Sequence, residues 1–349
     1  MRAVHGVVQH YAWGDREAIP SLVGAQPDGR PWAELWFGTH HGGPATFADG
    51  SPLSGTTGDL PYLVKLLAAA APLSLQTHPD AATARQGYAD EEQRRIALDD
   101  PARLYRDPHA KPELLCALSP FVALCGFMTV GQASESLRRL GALGLADVLE
   151  RQGMPATVAS MFRRTLAVGD ALAACRDSEA RHARLAIELD ERYPGDPGAA
   201  VSLLMNLVEL EPGEALYLTP GNLHAYVSGV GIEVMGASDN VLRGGLTRKH
   251  VDVDALLEIM RVEPLVDPVI RPSPVLSRST FEYPTPGAPF RVQRIDLDGR
   301  TGFTATGHEL MVCVEGAAPP LATGTAVHVG PGEDVELHGC ATLFRISPT

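Results

Sequence analysis

Two short stretches decide the fold. Residues 213–221 read GEALYLTPG, and residues 324–332 read GTAVHVGPG. Each stretch begins with glycine, alternates apolar residues with others and ends in Pro-Gly, a pattern typical of a short strand that leads into a turn. Because the same unit occurs twice in one chain, we expect two related β-barrels.

The two copies differ in the residue that follows the turn. His224 lies as far from the first glycine of its copy as Val335 lies from the first glycine of the second. Histidine can bind a metal ion and valine cannot, so only the first copy offers a ligand at this position. We therefore expect the active site in the first barrel and a structural role for the second.

Two further fragments carry candidate ligands. Residues 73–80 read LSLQTHPD, and on a strand Gln76 and His78 share one face because side chains alternate. Lys111 and Glu113 have the same spacing, and the proline between them predicts an edge strand or a bulged strand. Both fragments therefore predict a pair of polar side chains that point the same way.

Taken with His224, these fragments offer two imidazoles, one carboxylate and one amide oxygen from Gln76, His78, Glu113 and His224. Such a set is a plausible shell for a divalent metal ion, with zinc as the first choice. The four residues are dispersed in sequence, and a histidine at a strand end is more often an ordinary polar residue. Spacing alone leaves both interpretations open.

Length, charge and motifs limit the class of protein. At 349 residues and 37.1 kDa, the chain is long enough for two or three compact units. The formal net charge of −13 argues against nucleic acid as a partner, since a phosphate backbone requires a basic face. The sequence contains no Gly-x-x-x-x-Gly-Lys loop, Gly-x-Gly-x-x-Gly turn or Gly-x-Ser-x-Gly elbow, which disfavours those enzyme classes.

Cysteine usage and hydropathy predict a cytoplasmic protein. The five cysteines form no Cys-x-x-Cys pair, which favours free buried thiols in a reducing compartment. The longest apolar run, residues 66–75, is broken by Pro72 and is too short to cross a bilayer. The first residues lack the apolar core and cleavage site of a signal peptide. We therefore expect no membrane partner.

Composition divides the chain into three predicted domains. Residues 129–208 are rich in Ala, Leu and Arg with helical spacing of apolar residues, and a Gly-Met-Pro break falls at 153–155. Four prolines between 264 and 274 predict a linker. The predicted domains are a discontinuous catalytic domain (1–128 and 209–262), a helical insertion domain (129–208) and a C-terminal domain without a metal site (263–349).

Local patterns predict several details of these domains. Lys65 interrupts an apolar strand, and a buried lysine is costly unless it is paired or faces a wet cleft, so it is a candidate site residue. Asp80 is a predicted N-cap, and residues 252–260 are predicted to form a helix. The charged run 91–95 is predicted to be a solvated helix face. A last β region is predicted over about 288–346.

With these residues assembled, the sequence resembles the type I mannose-6-phosphate isomerases (phosphomannose isomerases), which are zinc enzymes of the cupin superfamily. The resemblance spans about residues 6–260, and its motifs occur in order along the chain. Each motif is weak alone, but the ordered set is highly specific. The motifs are YAWG (11–14), AELW (33–36), LQTHPD (75–80), KPEL (111–114), GEA (213–215), NLHAY (222–226) and SDNVLRGGLT (238–247).

The resemblance implies a fold and a cofactor. The implied fold is mainly β, a double cupin of two jelly-roll β-barrels with an inserted α-helical domain. The implied cofactor is one Zn²⁺ per chain, held by Gln76, His78, Glu113 and His224. The same four residues that suggest a shell by their chemistry are thus the implied zinc ligands.

The resemblance also implies roles for residues around the metal. Arg243 and Lys111 are implied catalytic residues, while Lys65, Glu233 and Asp239 are implied to line the substrate pocket. Arginine is a poor base because its guanidinium stays charged in proteins, so the identity of the general base remains open.

One position departs from the family. The family usually has a histidine directly before the lysine of its Lys-Pro-Glu motif, and this chain has Ala110 there, with His109 one residue earlier. On a regular strand His109 would share the face of Lys111, and a bulge could restore the family arrangement. Any acid–base role of that histidine is therefore in question for this chain.

The implied reaction interconverts mannose 6-phosphate and fructose 6-phosphate by moving a proton between C1 and C2 through an enediol-type intermediate. The implied partner is thus a small sugar phosphate, and we expect a monomer because no exposed apolar stripe stands out. Two alternatives remain open. One is another cupin metalloenzyme such as an iron dioxygenase, and the other is a sugar-phosphate-binding cupin without catalysis.

Overall fold

The predicted mainly β fold is confirmed. A computed structural model of the chain describes residues 1–275 and 279–349, and the strands of this part pair antiparallel in two sheets. Along the chain, most of the helices lie between the earlier and the later strands of the first sheet. None of the helices in the described ranges is long and apolar enough to cross a membrane.

The first sheet carries most of the predicted site residues. Its central strand, β11, pairs with β5 and β7 through one half and with β6 and β8 through the other, across a register shift near Tyr226. The strands are β2 (Val7–Gln9), β3 (Glu34–Phe37), β5 (Tyr62–Ala69), β6 (Leu75–Thr77), β7 (Glu113–Ala117), β8 (Phe121–Phe127), β9 (Met205–Leu210), β10 (Ala215–Leu218), β11 (His224–Gly236), β12 (Leu242–Gly245) and β13 (Val269–Ile270).

The second sheet is built mostly from the C-terminal part of the chain. Two strands of the N-terminal region, β1 and β4, extend it, because β1 pairs with both β19 and β4. Its strands are β1 (Arg2–His5), β4 (Thr46–Phe47), β14 (Ser273–Pro274), β15 (Thr280–Tyr283), β16 (Phe290–Thr304), β17 (Glu309–Ala318), β18 (Leu321–Ala322), β19 (Ala326–Val329) and β20 (Asp334–Pro348).

The repeated stretches form matching local structures. Each forms a four-residue strand that begins two positions after its glycine, β10 in the first copy and β19 in the second. Gly213 (φ 90°) and Gly324 (φ 79°) both have the positive φ that favours glycine. Val335, the counterpart of His224, is buried in the apolar core of the second sheet.

Helices fill the predicted insertion between β8 and β9. The first of them begins with a capping box at Thr129, and the predicted break near residue 153 is a kink, where Gly153 has φ 77°. The helices are α1 (Ala18–Leu22), α2 (Ser54–Thr57), α3 (Ala81–Gln93), α4 (Val130–Arg139), α5 (Leu143–Phe162), α6 (Gly169–Cys175), α7 (Arg181–Arg192), α8 (Pro197–Ser202) and α9 (Val253–Ile259).

Several local predictions are confirmed and others are wrong. Asp80 caps α3 by accepting a hydrogen bond from the Thr83 amide, as predicted. The predicted solvated face at 91–95 is wrong for Glu91, which is 5% exposed and accepts hydrogen bonds from backbone amides 104 and 105. The predicted linker at 264–274 contains β13, which pairs with β10. These differences arise from contacts with distant segments.

The two sheets share one apolar core, and Tyr62 bridges them within it. Side chains of β5 in the first sheet pack with those of β16, β17 and β20 in the second. The Tyr62 hydroxyl lies 2.9 Å from the carbonyl oxygen of His308 and 3.2 Å from that of Ile346. Tyr62 is 1% exposed, so water cannot replace this donor.

We predict that Tyr62→Phe lowers the free energy of unfolding by about 1–2 kcal/mol, because a buried carbonyl loses its donor. Tyr217→Phe is a matched control, since the Tyr217 hydroxyl also bonds a carbonyl, that of Pro286, but in an exposed position. At that exposed position water can replace the hydroxyl group, so the free energy of unfolding of Tyr217→Phe should change by no more than about 0.5 kcal/mol. Urea unfolding measures both, and equal stability of the two variants would refute the bridge.

Candidate active site

The predicted site residues converge on one cleft beside the first sheet. The cleft has a volume of about 840 Å³, and seven of the nine predicted residues line it. The other two, His78 and His224, are buried directly behind Glu113. The seven lining residues are Lys65, Gln76, Lys111, Glu113, Glu233, Asp239 and Arg243.

Three buried side chains form a compact ligand set. Glu113 lies between the two imidazoles, with its Oε1 3.3 Å from Nε2 of His78 and its Oε2 3.3 Å from Nε2 of His224. The three ligand atoms lie within 4.8 Å of one another, and the side chains are at most 2% exposed. A group of this size and chemistry can hold a metal ion.

Backbone carbonyls determine which ring nitrogen carries the proton. Nδ1 of His78 lies 2.7 Å from the carbonyl oxygen of Asn240, and Nδ1 of His224 lies 3.0 Å from that of Asn222. Since a carbonyl can only accept, each Nδ1 donates. In each neutral ring Nε2 therefore bears a lone pair that faces Glu113, the arrangement typical of metal-binding histidines.

Charge states make this arrangement unfavourable without a cation. Burial lowers the pKa of His78, which favours the neutral ring. Burial acts to raise the pKa of Glu113, but Lys111, His78 and His224 together outweigh it, and the pKa falls well below its usual range. Among residues 1–275 and 279–349, Nε2 of His78 and Oε2 of Glu113 have no hydrogen-bond partner. Buried lone pairs that face one another fit a metal ion.

Gln76 lies beside the ligand set. It pairs with His224 between β6 and β11, and its amide nitrogen lies 3.4 Å from Nε2 of His224. A 180° turn of the amide presents Oε1 to the same point, so the side chain can supply an oxygen ligand. Lys111 lies on the other side of the set, with its Nζ 3.0 Å from Oε1 of Glu113.

The local strand predictions differ from the structure in detail. His78 lies just beyond β6, and Lys111 precedes β7, which begins at Glu113. His109 is exposed and lines an adjoining cavity together with Ala110. The structure thus does not bring the His109 side chain into the cleft, so the arrangement in which it shares a face with Lys111 is wrong.

Lys65 lies at the centre of a buried ion-pair network. Its Nζ is 2.9 Å from Oε2 of Glu233 and 3.4 Å from Oε1 of Glu34. The Tyr226 hydroxyl donates to Glu233 at 2.8 Å, and the Trp36 indole donates to Glu34 at 2.7 Å. Burial acts to lower the pKa of Lys65, but the two carboxylates outweigh it and raise the pKa, so the ammonium stays charged.

Sequence reasoning missed part of this network. Glu34 and Trp36 lie in a motif that supports the family resemblance, but no site role was predicted for them. The available signal was a glutamate inside a buried apolar run, the same kind of signal that marked Lys65.

A cationic cluster lies on the cleft wall, consisting of Arg106, Arg243 and Lys249. Burial lowers the pKa of Arg243, and the positive charge of Arg106 lowers it further. Burial also lowers the pKa of Lys249, and the positive charges of Arg243 and Arg106 lower it further. Within the described ranges these three side chains form no ion pair with a carboxylate, so the cluster has charge available for an anion. The family resemblance implied a role for Arg243, whereas no role was predicted for Arg106 and Lys249.

Asn240 connects the ligand set with the segment that carries Arg106. Its backbone carbonyl accepts from His78, and its side-chain oxygen accepts from the Arg106 amide at 2.7 Å. Its Nδ2 donates to the carbonyl oxygens of Asp107, at 2.8 Å, and His109, at 2.9 Å. Asn240 itself is fully buried, and its bond with His78 is shielded from water. One residue therefore orients a candidate metal ligand and fixes a cleft-lining segment.

The chain is similar to known proteins in sequence. A family model described as the catalytic domain of type I phosphomannose isomerase matches residues 50–130. The chain is 32% identical to mannose-6-phosphate isomerase of Salmonella typhimurium over 99% of both chains. It is 33% identical to that of Escherichia coli K12, over 95% of this chain and 93% of the relative.

The structural comparison covers the whole chain. The crystal structure of the apo form of the Salmonella typhimurium enzyme superposes with a TM-score of 0.90 and 30% identity, over 100% of this chain and 99% of that one. These findings define the class of protein, an aldose–ketose isomerase. The chain belongs to the type I phosphomannose isomerase family, which confirms the resemblance found in the sequence.

We predict that Glu113→Gln loses most of its bound metal on dialysis, because the charged ligand between the two imidazoles is replaced by a neutral one. Wild-type protein should keep about one ion per chain and gain thermal stability when the metal is added, as expected for a ligand of the folded state. Elemental analysis and thermal melts give the two readouts.

His109→Ala is the control for this prediction, since its side chain lies outside the cleft. It should bind metal like the wild type. An unchanged metal content in Glu113→Gln would refute the ligand set.

Proposed function

We propose that this enzyme interconverts mannose 6-phosphate and fructose 6-phosphate, with one Zn²⁺ per chain bound by Gln76, His78, Glu113 and His224. The observation that carries the proposal is the presence of two complementary features in one cleft. A buried set of lone pairs is suited to a cation, and a nearby cluster of cations, which forms no ion pair in the described part of the chain, is suited to a phosphate. Family membership supports the same substrates.

The chemistry of the ligand set favours zinc, and the site with zinc bound would carry a net positive charge. Two neutral imidazoles, one carboxylate and one amide oxygen are ligands that zinc accepts. When bound, zinc supplies a Lewis acid that polarises the carbonyl and hydroxyl oxygens of a substrate. With only one anionic ligand, the site keeps positive charge, which suits an oxyanion such as an enediolate.

The cationic cluster supplies the phosphate site of the proposal. Arg106 and Arg243 offer planar guanidinium groups that can donate two hydrogen bonds to one phosphate, and Lys249 adds a point charge. A phosphate dianion would relieve the repulsion among these cations, which adds to the effect of burial in lowering the pKa values of Arg243 and Lys249. Phosphate binding at one end of the cleft would orient the sugar chain toward the ligand set.

The remaining predicted residues bind and stabilise the reacting part of the sugar. Lys111 lies beside Glu113 and can donate a hydrogen bond to an oxygen that gains charge. Arg243 can do the same, since its guanidinium does not lose its proton. Lys65 and Glu233 form a fixed, charged pair at the cleft wall that can hold sugar hydroxyl groups.

The two alternatives have weaker support. An iron oxygenase favours two histidines and one carboxylate with open positions, whereas Gln76 here lies at a fourth position. A binding protein without catalysis has no need for Lys111 beside the carboxylate ligand or for the Lys65 network. Both alternatives predict no isomerisation.

We also propose the double-cupin architecture and the three domains predicted from the sequence. The matching geometry of the repeated stretches supports two related barrels. The pairing of β1 and β4 with the second sheet means that the N-terminal region contributes to both sheets.

The direct test is an assay of mannose 6-phosphate conversion to fructose 6-phosphate before and after chelation. We expect turnover by the zinc-loaded enzyme, loss of turnover on chelation and recovery with added zinc. Metal binding without isomerisation would favour another cupin chemistry. If the protein shows neither bound metal nor turnover, a binding protein without catalysis becomes the better interpretation.

We predict that Arg243→Ala lowers kcat/KM by about 10²–10³-fold, because the site loses a charge that stabilises the reacting oxygens or the phosphate. Steady-state kinetics with mannose 6-phosphate provide the measurement. Arg163→Ala is the control, since Arg163 is exposed and pairs with Asp254 on the surface. Turnover by Arg243→Ala at the wild-type rate would exclude a catalytic role.

A further inference from the structure

A second histidine–carboxylate group lies at the edge of the cleft, and it differs in chemistry from the first. His40, His41 and Asp239 place their ligand atoms within 4.8 Å of one another. Nε2 of His40 is 3.2 Å from Oδ1 of Asp239, and Nε2 of His41 is 3.5 Å from Oδ2. Distance alone makes this group resemble a metal site.

The tautomer of His40 argues against a metal at this group. The backbone amide of Gly42 donates to Nδ1 of His40 at 3.1 Å, so Nδ1 is an acceptor. The proton of the neutral ring therefore lies on Nε2, where it is donated to Asp239. In His78 and His224 the opposite arrangement leaves Nε2 free. The position of the ring proton thus distinguishes His78 and His224, which can bind a metal ion, from His40, which donates a hydrogen bond to Asp239.

The His40 ring is held in one orientation. Its side chain is 7% exposed and packs edge-on against Trp36, with ring centroids 5.1 Å apart at 88°. It lies just past β3, where the Thr39 hydroxyl accepts a hydrogen bond from the Leu60 amide. His41 provides a contrast, because its ring is 84% exposed and its contact with Asp239 is longer.

Asp239 is the carboxylate that this ring orients. It lines the cleft and is 31% exposed, whereas Glu34 and Glu233 are buried and paired with Lys65. Its backbone amide donates to the Asp107 carboxylate at 2.7 Å, which fixes the main chain. Burial acts to raise the pKa of Asp239, but the hydrogen bond from His40, together with the neighbouring His40, Lys111 and His41, outweighs it and the pKa is lowered. The carboxylate is therefore ionised and keeps free lone pairs.

We propose that His40 is a positioning residue, which holds the Asp239 carboxylate in the cleft as an acceptor for a sugar hydroxyl group. This inference rests on the proposed function, because it requires a hydroxylated substrate whose phosphate lies on the cationic cluster. An anionic acceptor in the same cleft as Arg243 and Lys111 selects hydroxyl donors and repels a second anion. It thereby also sets which end of a sugar phosphate enters this part of the cleft.

The test compares three variants of the zinc-loaded enzyme. His40→Leu removes the donor, His40→Gln restores a donor of similar reach, and His41→Ser removes the exposed neighbour. Kinetics with mannose 6-phosphate give kcat and KM, and calorimetry gives the Kd of fructose 6-phosphate and of inorganic phosphate. Binding of inorganic phosphate alone depends on the cationic cluster. Its comparison with fructose 6-phosphate binding therefore distinguishes loss of the hydroxyl contact from distortion of the cleft.

We expect His40→Leu to lower kcat/KM and the affinity for fructose 6-phosphate by about 10–100-fold, the range of a hydrogen bond to a charged group. The affinity for inorganic phosphate and the zinc content should be unchanged. His40→Gln should recover most of the loss, and His41→Ser should stay within about twofold of the wild type.

Three results would overturn the inference while leaving the proposed function intact. They are a His40→Leu enzyme with wild-type kinetics, equal loss of phosphate and sugar-phosphate affinity, and no recovery in His40→Gln. Failure of the wild type to convert mannose 6-phosphate would instead defeat the proposed function and this inference with it. Nitrogen-15 NMR of the His40 ring adds a readout without mutation, since a proton on Nδ1 would contradict the assigned tautomer.

Discussion

Two imidazole lone pairs and a carboxylate, buried together where β6 ends and where β7 and β11 begin, are the constraint on which the site depends. Because the Asn240 and Asn222 carbonyls each accept from Nδ1, neither ring can turn its proton toward Glu113 without breaking a buried hydrogen bond. The side chains are almost inaccessible to water, so the cost of these facing lone pairs is not relieved by solvent. A bound cation relieves it, and the surrounding strands hold the ligands ready for one.

The rest of the cleft is organised around this set by charge. On one side Lys65 is fixed between two carboxylates, and on the other the Arg106, Arg243 and Lys249 cluster has no counterion in the described part of the chain. Asn240 couples the ligand set to the cationic cluster, since the same residue orients His78 and clamps the segment that carries Arg106. A change in the cationic cluster can therefore affect the candidate metal ligands through hydrogen bonds as well as through charge.

Sequence reasoning succeeded where the signal was local or repeated. The strand pattern around residues 213–221, the N-cap at Asp80 and the buried Lys65 each follow from a few neighbouring residues, and the structure contains all three. It failed where a distant segment decides the outcome. Glu91 is buried because residues 104 and 105 fold back onto it. The pairing of His40 with Asp239 likewise joins residues that no local pattern connects, and so does the meeting of Arg106 with Arg243.

Zinc X-ray absorption spectroscopy of the metal-loaded enzyme tests the central claim most directly. The account predicts a first shell of nitrogen and oxygen only, at about 2.0–2.2 Å, with the multiple-scattering signature of two imidazole rings. The signal of one ring should disappear in His78→Ala. Sulfur scatterers at about 2.3 Å would instead show zinc bound by cysteine thiolates. That result would contradict the assignment of Glu113 and the two histidines as the metal site.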